Sequence, residues 1–441
     1  MPTSIKVRAA LWVMAAFGVL ALPFIVLTTG QRAEGSGFLW DFSKGLGFGA
    51  LAVVGLQFIL TARFRSLAHP FGIDIIYLFH RYMALGALAL ILAHFGILYI
   101  WFEEALGDLN PLTARWELTA GRVGLVAFAL LVVTSEFRKF LKIEYGWWRT
   151  AHVALAIIAF SAAIAHVLGV GHFTAAADKQ AMMLGITAGW LLLMLWVRLI
   201  TPIFQLRNSW RVVENRPERG GVHTLILEPR GKKLSNWKPG QFVWLTIGRS
   251  PFMLGEHPFT LSNAPEDGPN IALSIKPLGD FTEQVENIKP GTPAWIDGPY
   301  GAFSIDMEPD TDGFVMVAGG IGITPMISNL RSMKARGDTR KVILFYANPE
   351  WDSITFREEL ETLEGQMNLT LVHVLEDGDE TWDGETGFID REMLERYVHE
   401  EARRWSFMLC GPPPMTEAVR EALLELGIPI WRIDSEIFDL V

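Results

Sequence analysis

The chain has 441 residues, half of them hydrophobic, and its mean hydropathy is positive at +0.27. This length predicts two or three domains, and the hydropathy favours a membrane protein over a wholly soluble one. The formal net charge of −10, without a basic stripe, argues against a nucleic-acid-binding protein. Cys410 is the single cysteine, which excludes an intrachain disulfide and a cysteine-based metal site.

Six apolar runs are long enough to cross a bilayer, which takes about 20 residues per helix. The predicted spans are 8–28, 46–63, 75–101, 120–137, 150–170 and 181–201. The first run lacks a small-residue cleavage site, so we expect a retained span rather than a signal peptide. Lys and Arg concentrate before span one, after spans two and six, and between spans four and five. The N-terminus and the C-terminal half are therefore expected in the cytoplasm.

Four histidines lie inside these spans at matched spacing. His80 and His94 are 14 residues apart in the third span, and His152 and His166 are 14 apart in the fifth. That spacing is about 21 Å along a helix and keeps both rings on one face. Since the two spans run in the same direction, the histidines form two pairs at two depths. Intramembrane imidazoles favour function, and two facing imidazoles suit a six-coordinate haem. The alternative is that each ring hydrogen-bonds a neighbouring helix.

The C-terminal half has the sequence pattern of a charged α/β protein. Short β-type runs separated by Gly and Pro predict an antiparallel β-barrel over roughly 208–305. From Gly313 strands and helices alternate, which predicts a doubly wound parallel sheet. The predicted domains are a six-helix all-α membrane bundle (1–204), a β-barrel (205–305) and an α/β domain (306–441).

Two short motifs suit phosphate groups. "GGIGITP" (319–325) places glycines between a strand and a helix, where backbone NH groups and the helix dipole attract anions. "LGDFTEQ" (278–284) offers a second helix start, with Lys276 just upstream. Taken singly, a tight turn and a capped helix explain these motifs equally well.

Together with "HPFT", "LSN", "GPYG" and "CGPPPM", these motifs resemble the ferredoxin–NADP reductase superfamily. With the four histidines, the chain resembles the membrane NADPH oxidase and ferric reductase family. The resemblance implies a ferredoxin-reductase-like module and three kinds of cofactor, namely two haem b, FAD and NAD(P)H. Residues expected around the FAD isoalloxazine are His257, Pro258, Phe259, Thr260 and Ser262. Residues expected around the FAD diphosphate are Lys276, Gly279, Asp280, Phe281 and Thr282. Residues expected around NAD(P)H are Gly319, Gly320, Gly322, Thr324, Pro325, Cys410, Gly411 and Pro412.

The chain departs from that pattern in two places. Asn348 and Glu350 follow the second nucleotide strand, where NADPH-dependent members often place arginine, and a carboxylate there favours NADH. Arg357 is a candidate compensating cation, so we expect NADH or dual use. The terminal "SEIFDLV" differs from the aromatic that stacks on the flavin in the oxidases, and Phe438 is the best substitute.

The resulting hypothesis is a transmembrane electron path from cytoplasmic NAD(P)H through FAD and two haems to an outer acceptor in the periplasm or exterior. Dioxygen, giving superoxide, is the favoured acceptor. A ferric-chelate reductase would use the same path, and a membrane-anchored flavin reductase serving a protein partner is the third alternative. Lys44 is interpreted as a solvated lysine rather than part of an acceptor site, and no regulatory subunit is evident from the sequence.

Overall fold

The first 200 residues form a bundle of long helices. The structure, a computed structural model, describes residues 3–29, 35–64, 72–248, 250–252, 255–378 and 382–436. These fall into two compact units, and the main boundary between them follows Pro202. The helices of the first unit are α1 (Thr3–Thr28), α2 (Phe38–Leu60), α3 (Ile73–Trp101), α4 (Trp116–Glu136), α5 (Tyr145–Val170) and α6 (Ala177–Leu195). A π-helical turn (Trp196–Ile200) and α7 (Thr201–Arg207) continue α6.

Six of these helical segments are long and apolar enough to cross a membrane, as predicted. The second begins at Phe38 rather than at residue 46, because the polar residues Asp41, Ser43 and Lys44 in its first turns lower the hydropathy there. Large apolar side chains face outward, among them Phe17 and Leu192, which are 69% and 66% exposed. This surface suits acyl chains rather than water, and the chain is an integral membrane protein.

Small residues let the central helices approach closely. Ala87 of α3, Ala127 of α4 and Ala159 of α5 are buried in one cluster with Phe128. At Gly124 of α4 an added Cβ would lie 3.5 Å from the carbonyl oxygen of Ala159. Such contacts are typical of membrane helix packing, where the hydrophobic effect between helices is weak and van der Waals contact drives association.

The second unit begins with an antiparallel six-stranded sheet. Its strands are β1 (Trp210–Pro217), β2 (His223–Pro229), β3 (Phe242–Ile247), β4 (His257–Thr260), β5 (Ile271–Ile275) and β6 (Pro293–Tyr300). Their order is β4-β3-β6-β1-β2-β5. An antiparallel bridge between Leu261 and Leu273 links the end of β4 to β5 and closes the sheet into a barrel. Alternating apolar side chains such as Leu225, Leu227 and Leu245 fill its interior.

A parallel six-stranded sheet follows. Its strands are β7 (Gly313–Gly319), β8 (Lys341–Asn348), β9 (Leu369–Leu375), β10 (Glu385–Thr386), β11 (Ser406–Cys410) and β12 (Ile433–Glu436). The intervening helices are α8 (Ile323–Arg336), α9 (Arg357–Glu364), α10 (Arg391–Tyr397) and α11 (Pro413–Glu425). The order β10-β9-β8-β7-β11-β12 places apolar cores on both faces, which is a doubly wound fold. The predicted fold class is confirmed in all three parts.

Helix α8 fastens the sheet to the barrel. The fully buried Ser328 hydroxyl accepts from Gly240 N at 3.0 Å and donates to Asn263 O at 2.7 Å. The Asn329 side chain accepts from Ile305 N at 2.9 Å. Buried hydrogen bonds of this kind are costly to break, so the glycine turn that precedes α8 is held at a fixed place beside the barrel.

Candidate functional site

His80 and His152 face each other across helices α3 and α5. Their ring centroids are 6.4 Å apart, with 50° between the ring planes. A metal–imidazole bond is about 2 Å and the ring centre lies about 1 Å further, so two imidazoles on one metal have centroids about 6 Å apart. The spacing therefore fits two axial ligands of one metal.

The hydrogen bonds around His152 fix its tautomer. Ser135 of α4 donates its hydroxyl hydrogen to Leu131 O at 2.7 Å, and its Oγ lies 3.0 Å from His152 Nδ1. Trp148 Nε1 also donates to this Oγ at 3.3 Å. With the single hydroxyl hydrogen of Ser135 donated to Leu131 O, His152 Nδ1 is the donor to Oγ, and this tautomer leaves the Nε2 lone pair for a metal.

The second pair repeats this arrangement. His94 Nδ1 lies 2.8 Å from Ser43 O on α2, and His166 Nδ1 lies 2.8 Å from Glu117 O on α4. Carbonyl oxygens only accept, so both rings carry hydrogen on Nδ1 and present Nε2. His94 is close enough to His166 and to Lys44 for their charges to interact. The two pairs therefore place α3 and α5 in the same direction, as the sequence predicts.

Glycines make room beside the second pair. An added Cβ at Gly121 would lie 2.7 Å from His166 Nδ1, closer than real Cβ atoms come. At Gly47 it would touch the His94 ring at 3.7 Å. Among the described residues no group of three or more His, Cys, Asp or Glu could hold a metal ion. The donors thus fit a metal that takes two axial imidazoles and brings its other ligands with it, as haem iron does.

The predicted flavin strand and phosphate segment meet through aromatic rings. His257, Pro258, Phe259 and Thr260 form β4. The His257 ring stacks on Phe281 at 4.3 Å, and Phe259 lies 6.0 Å from Phe281. Thr260 Oγ1 is buried without a hydrogen-bond partner in the protein, as expected of a hydroxyl that hydrogen-bonds a ligand.

Two further predicted residues, Ser262 and Thr282, make hydrogen bonds within the protein. Ser262 is fully buried; its hydroxyl donates to Ala272 O at 3.1 Å and accepts from the Ser274 hydroxyl at 2.9 Å, inside the barrel. Thr282 accepts from the backbone NH groups of Leu278 and Gly279 at 2.8 and 2.9 Å. These internal bonds satisfy groups that the sequence assigns to ligand contact.

The predicted helix start at 278–284 is a short 3₁₀ turn, Thr282–Asn287, rather than an α-helix. Gly279 and Asp280 precede it, and Asp280 is exposed. Lys276 extends instead towards the glycine turn, where its Nζ lies 3.8 Å from the position of a Cβ on Gly320. The lysine is therefore placed to neutralise a phosphate at that turn.

The glycine turn packs tightly on the "CGPPPM" turn. An added Cβ on Gly322 would lie 2.2 Å from Cys410 O, and one on Gly319 would lie 2.8 Å from Pro412 Cδ. An added Cβ on Gly411 would lie 3.0 Å from Gly319 N. Gly320 has a positive φ of 52° and begins a 3₁₀ turn that leads into α8. No larger residue fits these contacts, and the turn brings backbone NH groups to the carboxyl edge of the sheet.

The first turn of α8 adds two predicted residues. Thr324 is 2% exposed and donates to Ile321 O at 3.0 Å, and Pro325 follows it. Proline suits this position because the NH groups of a first turn have no intrahelical partner.

Glu436 is a candidate site residue that sequence reasoning missed. It pairs with Cys410 in the register of β12 and β11, and its Oε1 lies 3.6 Å from the position of a Cβ on Gly301 at the end of the barrel strand β6. Burial, and then the Glu436 charge, raises the pKa of the Cys410 thiol well above its usual value. The sequence signal is an acidic residue at the end of the last strand. Phe438 lies outside the described residues.

The end of β8 holds the remaining predicted residues. Asn348 is 5% exposed and lies beside the Tyr346 phenol, whereas Arg357, at the start of α9, is already engaged by protein groups. Sequence reasoning also missed an aromatic cluster beside them. Trp351 lies 5.3 Å from His373 and 5.1 Å from Trp382.

Comparison with known proteins gives three family matches in order along the chain. Residues 46–163 match a ferric reductase like transmembrane component, 222–304 a FAD-binding domain, and 316–421 an oxidoreductase NAD-binding domain. The order and the placement correspond to the helical bundle, the barrel and the parallel sheet.

Curated relatives of the C-terminal half are NADH-cytochrome b5 reductases 1. The protein from Pyricularia oryzae is 31% identical over 38% of this chain and 57% of its own length. The one from Arabidopsis thaliana is 34% identical over 38% of this chain and 62% of its own length. The chain thus spans about 60% of the length of these relatives.

Among solved structures, the flavohemoglobin of Malassezia yamatoensis is 19% identical, with a TM-score of 0.50 over 90% of this chain and 97% of that one, a likeness of fold alone. Flavin and nucleotide domains following a membrane domain make the chain an oxidoreductase. With these three components in this order, the chain has the domain architecture of the NADPH oxidase and ferric reductase family.

Proposed function

We propose that the protein carries electrons from cytoplasmic NAD(P)H through FAD and two b-type haems to an acceptor on the outer side of the membrane. In this proposal residues 1–204 hold the haems, 205–305 the FAD and 306–441 the NAD(P)H. His80 and His152 would bind the inner haem, and His94 and His166 the outer one.

The observation that carries the proposal is the tautomer of the histidines. Two of the four rings, His94 and His166, donate from Nδ1 to a carbonyl oxygen on a neighbouring helix and so present an unprotonated Nε2, and His152 Nδ1 lies 3.0 Å from the Ser135 hydroxyl on a neighbouring helix. A histidine that merely joined two helices would need no partner of the same kind at the same depth. Here each ring has one, and one pair stands 6.4 Å apart.

Residues of the C-terminal half would bind the flavin and the nucleotide. Thr260 would hydrogen-bond the flavin ring, and the His257–Phe281 stack would shield one side of it from water. The glycine turn and Lys276 would hold the NAD(P)H diphosphate, and Cys410 with Glu436 would border the nicotinamide. Bound FAD and haem would convert the two-electron hydride transfer from NAD(P)H into single-electron transfers.

Dioxygen, giving superoxide, is the acceptor we propose. If His80 with His152, and His94 with His166, each held one haem iron, neither iron would keep an open coordination position, and the acceptor would take its electron without binding iron. The sequence alone favours a solvated lysine at position 44, but the Lys44 side chain is partly buried, and in this proposal it would offer positive charge to an anionic product near the outer haem. Its Nζ lies 4.3 Å from the Trp40 ring centre rather than in solvent, within electrostatic range of His94 and His166.

Ferric-chelate reduction remains the second candidate, because the same positive charge would attract an anionic chelate. The two are separated by assaying the protein in lipid nanodiscs. Superoxide production predicts NAD(P)H-dependent cytochrome c reduction that superoxide dismutase abolishes, with little reduction of a ferric chelate under argon. The reverse result would make the protein a ferric-chelate reductase.

Replacing His94 tests the path itself. His94→Leu is expected to remove the outer haem and to abolish reduction of external acceptors while NAD(P)H still bleaches the flavin. A variant that reduced the acceptor at the wild-type rate would refute the path. Purified protein without a haem Soret band would instead select the third alternative, a membrane-anchored flavin reductase with a protein partner.

A further inference from the structure

Arg357 is the single arginine or lysine between Tyr346 and Gly378, the segment that begins with the end of β8 and passes the end of β9. Its side chain is only 12% exposed. The guanidinium carbon lies 4.5 Å from the Trp351 ring centre, and Nη1 donates to Trp351 O at 3.0 Å. A cation stacked on an indole and bonded to the same residue's carbonyl is held away from ligands.

Carboxylates also neutralise this arginine. Its Nη atoms lie 3.6 Å from Asp352 and 3.4 Å from Glu358. Arg219, from the barrel, contacts the same two acids, with a 2.5 Å bond to Glu358. The hydrogen bond from Arg219 lowers the pKa of Glu358 to about 2. Two arginines and two carboxylates thus form a neutral network that fixes Arg357 in place.

The rest of this end of the site is acidic. Glu350 follows β8, and Glu376 and Asp377 follow β9. The two strand ends are joined, since Glu376 N donates to Asn348 O at 3.0 Å and Asp377 N to Pro349 O at 3.3 Å. We call Glu350, Glu376 and Asp377 the acidic edge; all three are exposed.

Among the described residues of this segment, an adenosine ribose would meet exposed carboxylates, whereas the one arginine is held by Trp351 and by two acids. A 2′-phosphate needs a free arginine, whereas a 2′-hydroxyl needs an acceptor such as a carboxylate. We propose that the acidic edge accepts the free 2′-hydroxyl of NADH and repels the 2′-phosphate of NADPH, so that NADH is the electron donor. This assignment rests on the proposed function, whose donor it specifies.

The test compares both nucleotides on the full chain in nanodiscs, by anaerobic stopped-flow bleaching of the flavin. The expected kcat/KM for NADH exceeds that for NADPH by at least about 100-fold, equivalent to about 2.7 kcal/mol. The double variant Glu350→Gln with Glu376→Gln removes two charges of the edge. It is expected to lower the ratio of kcat/KM for NADH to kcat/KM for NADPH about tenfold, chiefly by raising kcat/KM for NADPH. Glu395→Gln, in an exposed ion pair with Arg391 on α10, is the matched control and leaves the ratio unchanged.

Arg357→Ala tests whether this arginine is sequestered by protein groups or binds the 2′-phosphate of NADPH. If the residue is sequestered, the variant keeps the NADH to NADPH ratio within about threefold. A selective loss of NADPH use, tenfold or more, would overturn the proposal because it would mean that Arg357 binds the 2′-phosphate. If the wild type used NADPH with the same kcat/KM as NADH, only the assignment of NADH as the donor would be overturned. If neither nucleotide bleached the flavin, the proposed function would be refuted as well.

Discussion

Ser135 offers a selective perturbation of one of the two proposed haem sites. Ser135→Ala removes the hydroxyl that accepts from His152 Nδ1 at 3.0 Å, while the histidine itself stays. Thr134→Ala is the matched control. Thr134 makes the same kind of bond within its helix, to Leu130 O at 2.7 Å, and no bond to His152.

The magnitude follows from a single neutral hydrogen bond. Losing such a bond costs about 0.5–1.5 kcal/mol. A hydrogen bond donated by a ligand imidazole raises the basicity of its other nitrogen, which favours ferric over ferrous iron. Removing the acceptor of His152 should therefore raise the midpoint potential of that haem, by about 20–65 mV for a one-electron couple.

The assay is an optical redox titration of protein in nanodiscs, in which the two haems titrate separately. Ser135→Ala is expected to shift one midpoint upward and leave the other in place, with haem content near that of the wild type. Thr134→Ala should match the wild type at both. The reasoning is refuted if both midpoints move together, or if neither moves beyond the error of the control.

Three further changes have definite expected outcomes. Thr260→Val should weaken FAD binding about tenfold through loss of one hydrogen bond, measured by flavin fluorescence on dilution, and unchanged affinity would contradict its role. Ser328→Ala leaves Gly240 N and Asn263 O buried and unpaired, so it should lower the stability of the C-terminal unit by about 2–4 kcal/mol in a denaturant titration; a change below about 0.5 kcal/mol would show that the bonds relax. Burial lowers the pKa of His373 to about 4 from 6.5, so its neutral form stabilises the fold above pH 6.5 and that stability, on the order of 2 kcal/mol, is lost as the pH falls towards 4. His373→Phe should flatten the unfolding free energy between pH 6.5 and 4, and an unaltered slope would contradict this account.

Local patterns account for what the sequence predicted well. The helices of the bundle follow from apolar runs, and a spacing of 14 residues is enough to place His80 and His94 on one face of α3. The barrel and the parallel sheet follow from strand alternation and glycine turns. Only span ends differ, because polar residues such as Lys44 lie inside the first turns of α2.

Contacts between distant elements account for what the sequence could not give. The acceptors of the imidazoles, among them Ser43 O and Glu117 O, belong to helices α2 and α4, and their placement depends on helix rotation in the folded bundle. Glu436 meets Cys410 only through the register of two parallel strands. Arg357 reads in sequence as an available cation, and only the fold shows Trp351 and two acids holding it.

The ratio of haem to FAD in detergent-purified full-length protein tests the central claim most directly. Haem is measured by the pyridine haemochrome method and flavin after release from the protein. Two imidazole pairs at two depths predict two haems for each FAD. A preparation that holds FAD but no haem would contradict the electron path across the membrane.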